Sequence, residues 1–238
     1  MYVHDYIWQK LDIETRSAVA RVFRETGPAS VEVGVSSHGP AFWNDHRRTY
    51  DAAGLCVDEA HVDLVLGSNG LSPAQWKLYV DAARQAGLRT VSPIFAPNYR
   101  QWEHGPFQSP EWQDIRDMAL YGGGITVDSP PWYFLSHPIP YQNFVEAEVI
   151  WARSAGIQSS WIFSPPRTAG GAFMAPVRQM LDILRVRGTL PNRYIVENYM
   201  ANPPSGFRFV VGKEEQPESI AAVALWMSRN APRIPLRP

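Results

Sequence analysis

The chain has 238 residues, of which 45% are hydrophobic and 19% are charged, and its formal net charge at pH 7 is −1. No stretch is polar or repetitive enough to predict disorder, so the composition indicates a chain that folds throughout around a sizeable core. The near-zero charge offers no concentrated basic face for nucleic acid or an anionic membrane, and neither is expected as a partner. The length fits one β/α barrel, which needs about 200 to 250 residues, and we expect a single domain over residues 1–238.

Cys56 is the only cysteine, which excludes an intrachain disulfide and a cysteine-based zinc site. The N-terminus, MYVHDYIWQK, lacks the basic region and apolar run of a secretion signal, and no run of about 18 apolar residues is present to span a bilayer. We therefore expect a soluble protein. Its compartment stays open, because a signal already removed ahead of Met1 would permit secretion.

The first half of the chain reads as short apolar strands separated by longer amphipathic segments. MYVHDYI is a candidate first strand, followed by a helix over 12–26 that leads into the strand VEVGVS at 31–36. After a segment at 51–60, VDLVLG predicts a strand over 62–67. A helix over 110–121, with Ser109 as N-cap and Pro110 at its first position, then leads into the strand of GGITVDSPP.

Two stretches share one order of features: AARQAGLRTVSPIFAP at 82–97 and WARSAGIQSSWIFSPP at 151–166. Each reads as a helix end, a glycine, a buried strand and a proline-rich loop, and Gly87 and Gly156 are predicted to end their helices in the left-handed conformation. Further on, MAPVRQMLDILRVRG leads into RYIVENY. The sequence FRFVVG at 207–212 is a candidate last strand before a helix over 217–230.

This alternation predicts an α/β fold with parallel strands, because each helix has to carry the chain back before the next strand begins. We expect a (β/α)8 or TIM barrel, with irregular or incomplete first and last units allowed. The alternative is a doubly wound parallel sheet, which is disfavoured because no glycine-rich dinucleotide motif follows any strand. In both folds ligands bind beyond the carboxyl ends of the strands.

Polar and aromatic residues follow most predicted strands, whereas the links that enter the strands carry mainly small and turn-forming residues. In chain order the residues beyond the strand ends are His38, Ser68, Asn69, Asn98, Tyr99, Arg100, Trp102, Asp128, Trp132, Tyr133, Ser164, Arg167, Glu197, Asn198 and Tyr199. Glu197 is the most informative of them, because it continues an apolar strand where a turn cap would favour Asp or Asn. Asp128 precedes Ser-Pro-Pro, where a turn cap remains an alternative.

Two carboxylates and flat aromatic faces are what the hydrolysis of a glycosidic bond requires. One carboxyl group protonates the leaving oxygen, and the other acts as nucleophile or activates water. Glu197 and Asp128 are the best catalytic pair. The residues predicted to bind the sugar are Trp132, Tyr133, Tyr199, Asn198, Trp102, Asn98, Arg100, His38, Arg167 and Trp43. No metal or cofactor is predicted, although Asp128, His137 and Glu197 would be the ligands if their side chains converged.

On these residues the chain resembles the barrel glycoside hydrolases, in which carboxylates at strand ends do the chemistry. With MYVHDYI as the first strand, Glu197 falls at the end of the seventh, where the largest group of retaining barrel glycosidases places its nucleophile. Those enzymes usually carry an Asn-Glu pair after the fourth strand. This chain has Asn98 there and, further on, Glu103, so the resemblance leaves the acid open between Asp128 and Glu103.

The function predicted from the sequence is therefore a carbohydrate-active hydrolase on an oligo- or polysaccharide. A second interpretation is a barrel isomerase, aldolase or lyase on a small, phosphorylated or unphosphorylated, sugar or acid. It draws on RTAGGAF at 167–173, whose backbone N–H groups and Arg167 would hold an anion. A third is a non-catalytic carbohydrate-binding barrel.

Overall fold

The computed structural model describes residues 2–4, 29–34, 57–63, 72–95, 110–166, 172–197, 218–232 and 234–235. Within them seven strands form one parallel sheet in which every strand pairs with the next along the chain. The strands are β1 (Tyr2–His4), β2 (Ala29–Gly34), β3 (Val57–Asp63), β4 (Thr90–Phe95), β5 (Gly124–Val127), β6 (Gln158–Phe163) and β7 (Arg193–Val196).

Six helices lie in the described part of the chain, and four of the strand-to-strand links contain at least one of them. They are α1 (Pro73–Gln85), α2 (Pro110–Gly122), α3 (Pro131–Ser136), α4 (Ile139–Ser154), α5 (Met174–Arg187) and α6 (Ile220–Asn230). The predicted α/β class and parallel pairing are confirmed. The described strands also lack the reversal of strand order that a doubly wound sheet requires.

Glycines end helices where the sequence predicted them. Gly87 and Gly156 have φ values of 94° and 71°, each just after a helix, and Gly188 follows α5 with φ 70°. The left-handed conformation lets the chain leave the helix without strain at these positions. At the other end of α1, Ser72 and Gln75 form a reciprocal capping box.

The start predicted for the strand over 62–67 is wrong: β3 begins five residues earlier, at Val57, within the segment expected to precede it. The strand predicted over 31–36 also begins earlier in the structure, at Ala29, and its described part runs to Gly34. Strands β4 and β6 lie where they were predicted. The helix predicted over 12–26 and the last strand at 207–212 lie outside the described residues.

The sheet is curled, as a contact between distant strands shows. A guanidinium nitrogen of Arg193 on β7 lies 3.1 Å from a carboxylate oxygen of Glu59 on β3. Four strand intervals separate them, which amount to about 19 Å across a flat sheet. Gln158 on β6 also donates to Glu59, at 3.0 Å. The described strands therefore bend round a common interior, as part of a barrel does.

The main hydrophobic core lies between the outer face of this curled sheet and the helices. Its largest fully buried members include Trp161 and Phe163 on β6, Phe134 on α3 and Tyr141 on α4. Alternate residues of each strand point outward into this core, and the residues between them point to the interior.

Three consecutive glycines bring α2 and β5 close to their neighbours. A Cβ added at Gly122 would lie 1.9 Å from the carbonyl oxygen of Val91, and one added at Gly124 would lie 2.5 Å from the Ser92 hydroxyl oxygen. Gly123 between them has φ 84°. The triplet thus ends α2 and lets the chain pass close to β4.

Candidate functional site

The interior of the curled sheet is layered along the strand direction. Near the strand starts it is polar, and it contains Glu59, His61, Ser92, Thr126, Gln158, Ser160 and Arg193. Two residues further along β4, β6 and β7 comes a layer of buried isoleucines, Ile94, Ile162 and Ile195. Two residues beyond these on β6 and β7 are Ser164 and Glu197, which the alternation of side chains places on the same interior face.

The polar layer is held by hydrogen bonds across the interior. His61 Nδ1 lies 2.6 Å from the Thr126 hydroxyl oxygen, and Glu59 is shared by Gln158 and Arg193. Burial, with the positive charge of Arg193 adding to it, lowers the pKa of His61 to about 3. His61 is therefore a neutral imidazole at physiological pH.

Glu197 follows β7 directly and is buried, with 4% of its surface exposed. Its backbone N–H donates to the Phe163 carbonyl at 3.1 Å, which extends the pairing of β7 with β6 by one residue. The strand is thus still extended at Glu197, and this residue shares the interior face of Ile195. A carboxylate buried at the carboxyl end of a parallel strand stands where ligands bind in folds of this class.

Asp128 occupies the equivalent position after β5. Its N–H donates to the Phe95 carbonyl at 2.8 Å, and its side chain is partly exposed. Burial raises the pKa of Tyr141 well above its ordinary value, and the negative charge of Asp128 adds to the effect, so the carboxylate is within electrostatic reach of this phenol. The extended backbone puts Asp128 on the face of Thr126, toward the interior.

The loop after Asp128 is fixed by two hydrogen bonds. The Ser129 hydroxyl lies 3.1 Å from the Tyr141 hydroxyl, and the Ser129 carbonyl accepts from the indole N–H of Trp161 at 2.8 Å. All three residues are fully buried. The residue directly after Asp128 is therefore anchored in the core by hydrogen bonds to α4 and β6.

Helix α3 carries the aromatic residues predicted to bind sugar. Trp132 and Tyr133 are partly exposed, with their ring centroids 5.5 Å apart and edge to face. Tyr133 also packs against His137 at 3.9 Å and against Tyr141 at 5.6 Å, so part of its ring surface is covered. The indole nitrogen of Trp132 is buried without a hydrogen-bond partner among the described residues.

His137 serves the local structure of α3. Its Nδ1 lies 2.7 Å from the Tyr133 carbonyl oxygen, one helical turn back, and its ring lies 4.7 Å from that of Tyr141. Over the described ranges no three His, Cys, Asp or Glu side chains are grouped closely enough to hold a metal ion, so Asp128, His137 and Glu197 do not form the site considered above.

At the end of RTAGGAF, where an anion site was considered, a carboxylate of the protein itself accepts hydrogen bonds from the backbone amides. The N–H groups of Phe173 and Met174, at the start of α5, both donate to one carboxylate oxygen of Glu218, at 2.5 and 2.9 Å. A carboxylate is the usual partner for these helix amides, and a phosphate bound by these two amides would have to displace it. The structure thus gives the amides a protein partner that the sequence did not suggest.

Eight of the predicted site residues lie outside the described residues: His38, Trp43, Asn98, Arg100, Trp102, Arg167, Asn198 and Tyr199. Glu103 does as well. Of the predicted set, the structure describes Glu197, Asp128, Trp132 and Tyr133, all beyond the carboxyl ends of β5 and β7. In the described ranges no helix is both long and apolar enough to cross a membrane.

Sequence reasoning missed the buried Glu59 and His61, because VDEAHVD does not resemble an apolar core strand. The signal was present as alternation: Ala60 and Val62 are the apolar residues of a period-two pattern, and Glu59 and His61 occupy its alternate positions. Both residues are buried on the opposite face, which is the interior of the curled sheet.

No protein-family profile and no protein of curated function matches the sequence. Among solved structures, the chain is similar to a sugar phosphate isomerase/epimerase from Parabacteroides distasonis, with a TM-score of 0.50 and 11% identity over 97% of this chain and 93% of that one. The chain is also similar to the catalytic domain of a mannanase from a Streptomyces species. The TM-score is 0.47, with 13% sequence identity over 85% of this chain and 66% of that one. At this low identity the first match supports the barrel fold alone.

Proposed function

We propose that the protein is a carbohydrate-active enzyme built on a complete (β/α)8 barrel, and that it cleaves a glycosidic bond with Glu197 and Asp128. The observation that carries the proposal is the burial of Glu197 inside the curled sheet, directly after the seventh strand. In a sheet of this kind, ligands bind at the carboxyl ends of the strands, which is where this carboxyl group lies. The proposed barrel needs an eighth strand, for which the sequence at 207–212, outside the described residues, is the candidate.

The chemistry proposed for this pair is acid–base and nucleophilic. One carboxyl group protonates the glycosidic oxygen as it leaves, while the other attacks the anomeric carbon or removes a proton from the attacking water. Asp128 and Glu197 follow β5 and β7, which are separated in the sheet only by β6. A sugar bound at the mouth, meaning the end of the curled sheet where the strands have their carboxyl ends, can therefore lie between the two side chains. The indole N–H of Trp132 is a donor for the substrate in this proposal.

A second candidate is an isomerase, aldolase or lyase acting on a small sugar. The low exposure of Glu197 favours it, because a carboxylate with 4% of its surface exposed suits a substrate small enough to enter the mouth. The similar structure from Parabacteroides distasonis is described as a sugar phosphate isomerase/epimerase. The Glu218 carboxylate at the start of α5 argues against a phosphate at that helix end, and so favours an unphosphorylated sugar.

The test compares turnover by the wild type and by Glu197→Gln on a panel of oligosaccharides, polysaccharides and small sugars, with and without a chelator. Glu148→Gln is the matched control, since Glu148 is also buried but lies on α4, outside the sheet. We expect Glu197→Gln to lower kcat/KM about a thousandfold and Glu148→Gln to leave it unchanged.

The other outcomes separate the alternatives. Full activity in Glu197→Gln would contradict the proposed role of this carboxylate. Interconversion of small sugars that is lost with a chelator would favour the isomerase. Sugar binding without turnover in both the wild type and Glu197→Gln would identify a non-catalytic carbohydrate-binding barrel.

A further inference from the structure

Ser164 stands beside Glu197 at the mouth of the barrel. Phe163 and Val196 are register partners, and the hydrogen bond from the Glu197 N–H to the Phe163 carbonyl continues that pairing. The next residues along the two strands, Ser164 and Glu197, are therefore neighbours across the ladder, about 4.8 Å apart in strand spacing. They share the interior face with Ile162 and Ile195 beneath them.

The Ser164 hydroxyl has no hydrogen-bond partner among the described residues, although Ser164 is fully buried. Buried hydroxyl groups normally find a partner, and one without a partner costs folding free energy. Ser129, in the loop after the neighbouring strand β5, shows the usual arrangement, with its hydroxyl within hydrogen-bonding distance of Tyr141. A hydroxyl kept without a partner beside a buried carboxylate is explained if a ligand supplies the partner.

The backbone at Ser164 is constrained. Pro165 and Pro166 follow it, and a residue before proline is restricted to extended conformations. Ser164 and Pro165 are both buried. The hydroxyl is thus carried on a rigid stretch at the carboxyl end of β6, which suits a group that has to hold a ligand in one orientation.

We propose that Ser164 is a specificity-determining residue, whose hydroxyl exchanges a hydrogen bond with one ring hydroxyl of the sugar held at Glu197. This inference rests on the proposed function and adds a residue to it. A sugar hydroxyl both donates and accepts, and it therefore matches serine in either direction. In this proposal Ser164 distinguishes sugars by whether they carry a hydroxyl group at one ring position, next to the atoms that Glu197 contacts.

The experiment combines a variant with altered substrates. Ser164→Ala and the wild type are assayed on the best substrate of the panel and on its monodeoxy derivatives, each lacking one ring hydroxyl. We expect Ser164→Ala to lower kcat/KM about ten- to a hundredfold on the parent sugar. For one deoxy derivative we expect the two proteins to be equally active, because the contact is already missing from the substrate.

Ser92→Ala is the matched control. The Ser92 hydroxyl is also fully buried and without a partner among the described residues. Ser92 lies two residues before Ile94, however, and so belongs to the polar layer rather than to the mouth. We expect Ser92→Ala to leave kcat/KM and the deoxy pattern unchanged. Ser164→Ala should not lower the Tm, since no protein hydrogen bond is lost and a buried hydroxyl without a partner is removed.

Two results would overturn the inference: equal losses on the parent and on every deoxy derivative, or a Tm lowered by several degrees, which would indicate a structural hydrogen bond. If the wild type shows no turnover, the proposed reaction fails, and the Ser164 inference is then decided by calorimetric titration of the same sugars. Binding that Ser164→Ala weakens tenfold would support the inference. Equal binding by both proteins, or none, would refute it.

Discussion

Glu148 on α4 offers a quantitative test of how this fold treats a buried charge. Arg116 donates to one of its carboxylate oxygens at 2.8 Å, but the other oxygen is buried without a hydrogen-bond partner among the described residues. Burial outweighs the Arg116 interaction and raises the pKa of Glu148 from its ordinary 4.5 to about 7. The folded state therefore binds this proton more tightly than the unfolded state does.

The sign of the effect follows from this difference. Between pH 4.5 and 7 the folded state binds more protons, so this group's contribution to stability falls as the pH rises through that range. The full penalty, reached above pH 7, is about 3 kcal/mol at 1.36 kcal/mol per pH unit. Glu148→Gln resembles the protonated form, and we expect it to be more stable than the wild type by about 2 to 3 kcal/mol at pH 8 and equally stable at pH 4.

The assay is urea unfolding followed by circular dichroism at several pH values for the wild type and Glu148→Gln. Asp182→Asn serves as control, because Asp182 and its partner Arg185 are both mostly exposed, and such pairs contribute little. A Glu148→Gln protein less stable than the wild type at pH 8 would refute the reasoning. It would mean that the ion pair with Arg116 outweighs the burial of the charge.

Three further predictions concern the frame around the site. Gly122→Ala drives a methyl group into the Val91 carbonyl, and we expect a loss above about 3 kcal/mol in urea unfolding, whereas an effect below 1 kcal/mol would contradict the packing described. Arg193→Met removes the cation beside buried Glu59 and should cost about 2 kcal/mol at pH 7; unchanged stability would show that the pair is dispensable. Glu218→Ala removes the acceptor at the start of α5 and should lower stability by about 1 kcal/mol. The amide hydrogens of Phe173 and Met174 should then exchange faster, and exchange protection equal to the wild type would argue against a capping role for Glu218.

The strands that were predicted correctly are those whose composition matches their burial. Strands β4 and β6 are buried on both faces and are followed by prolines, so their apolar runs and their ends are visible in the sequence. The glycine-ended helices before them are visible for the same reason. Such local signals carry most of the described architecture.

The start of strand β3 was predicted too late because the inward face of the strand is polar. Its side chains are satisfied by partners far along the chain: His61 is next to Thr126, and Glu59 meets residues on β6 and β7. No local pattern reports contacts between residues 65 to about 130 positions apart. The same holds for Glu218 at the start of α5 and for Ser164 beside Glu197, since each is defined by a pairing that exists only after folding.

The isoleucine layer of Ile94, Ile162 and Ile195 separates two parts of the interior. Below it, ionic and amide contacts join β3 to β6 and β7; above it stand the mouth residues. Because this apolar layer separates the two groups of polar residues, replacing a charged residue above it should leave the hydrogen bonds and the ion pair of Glu59 unchanged. Substitutions at Ser164 or Glu197 should then add to those at Glu59 without interaction energy, and the mouth is free to diversify toward new ligands while the base continues to hold the strands together.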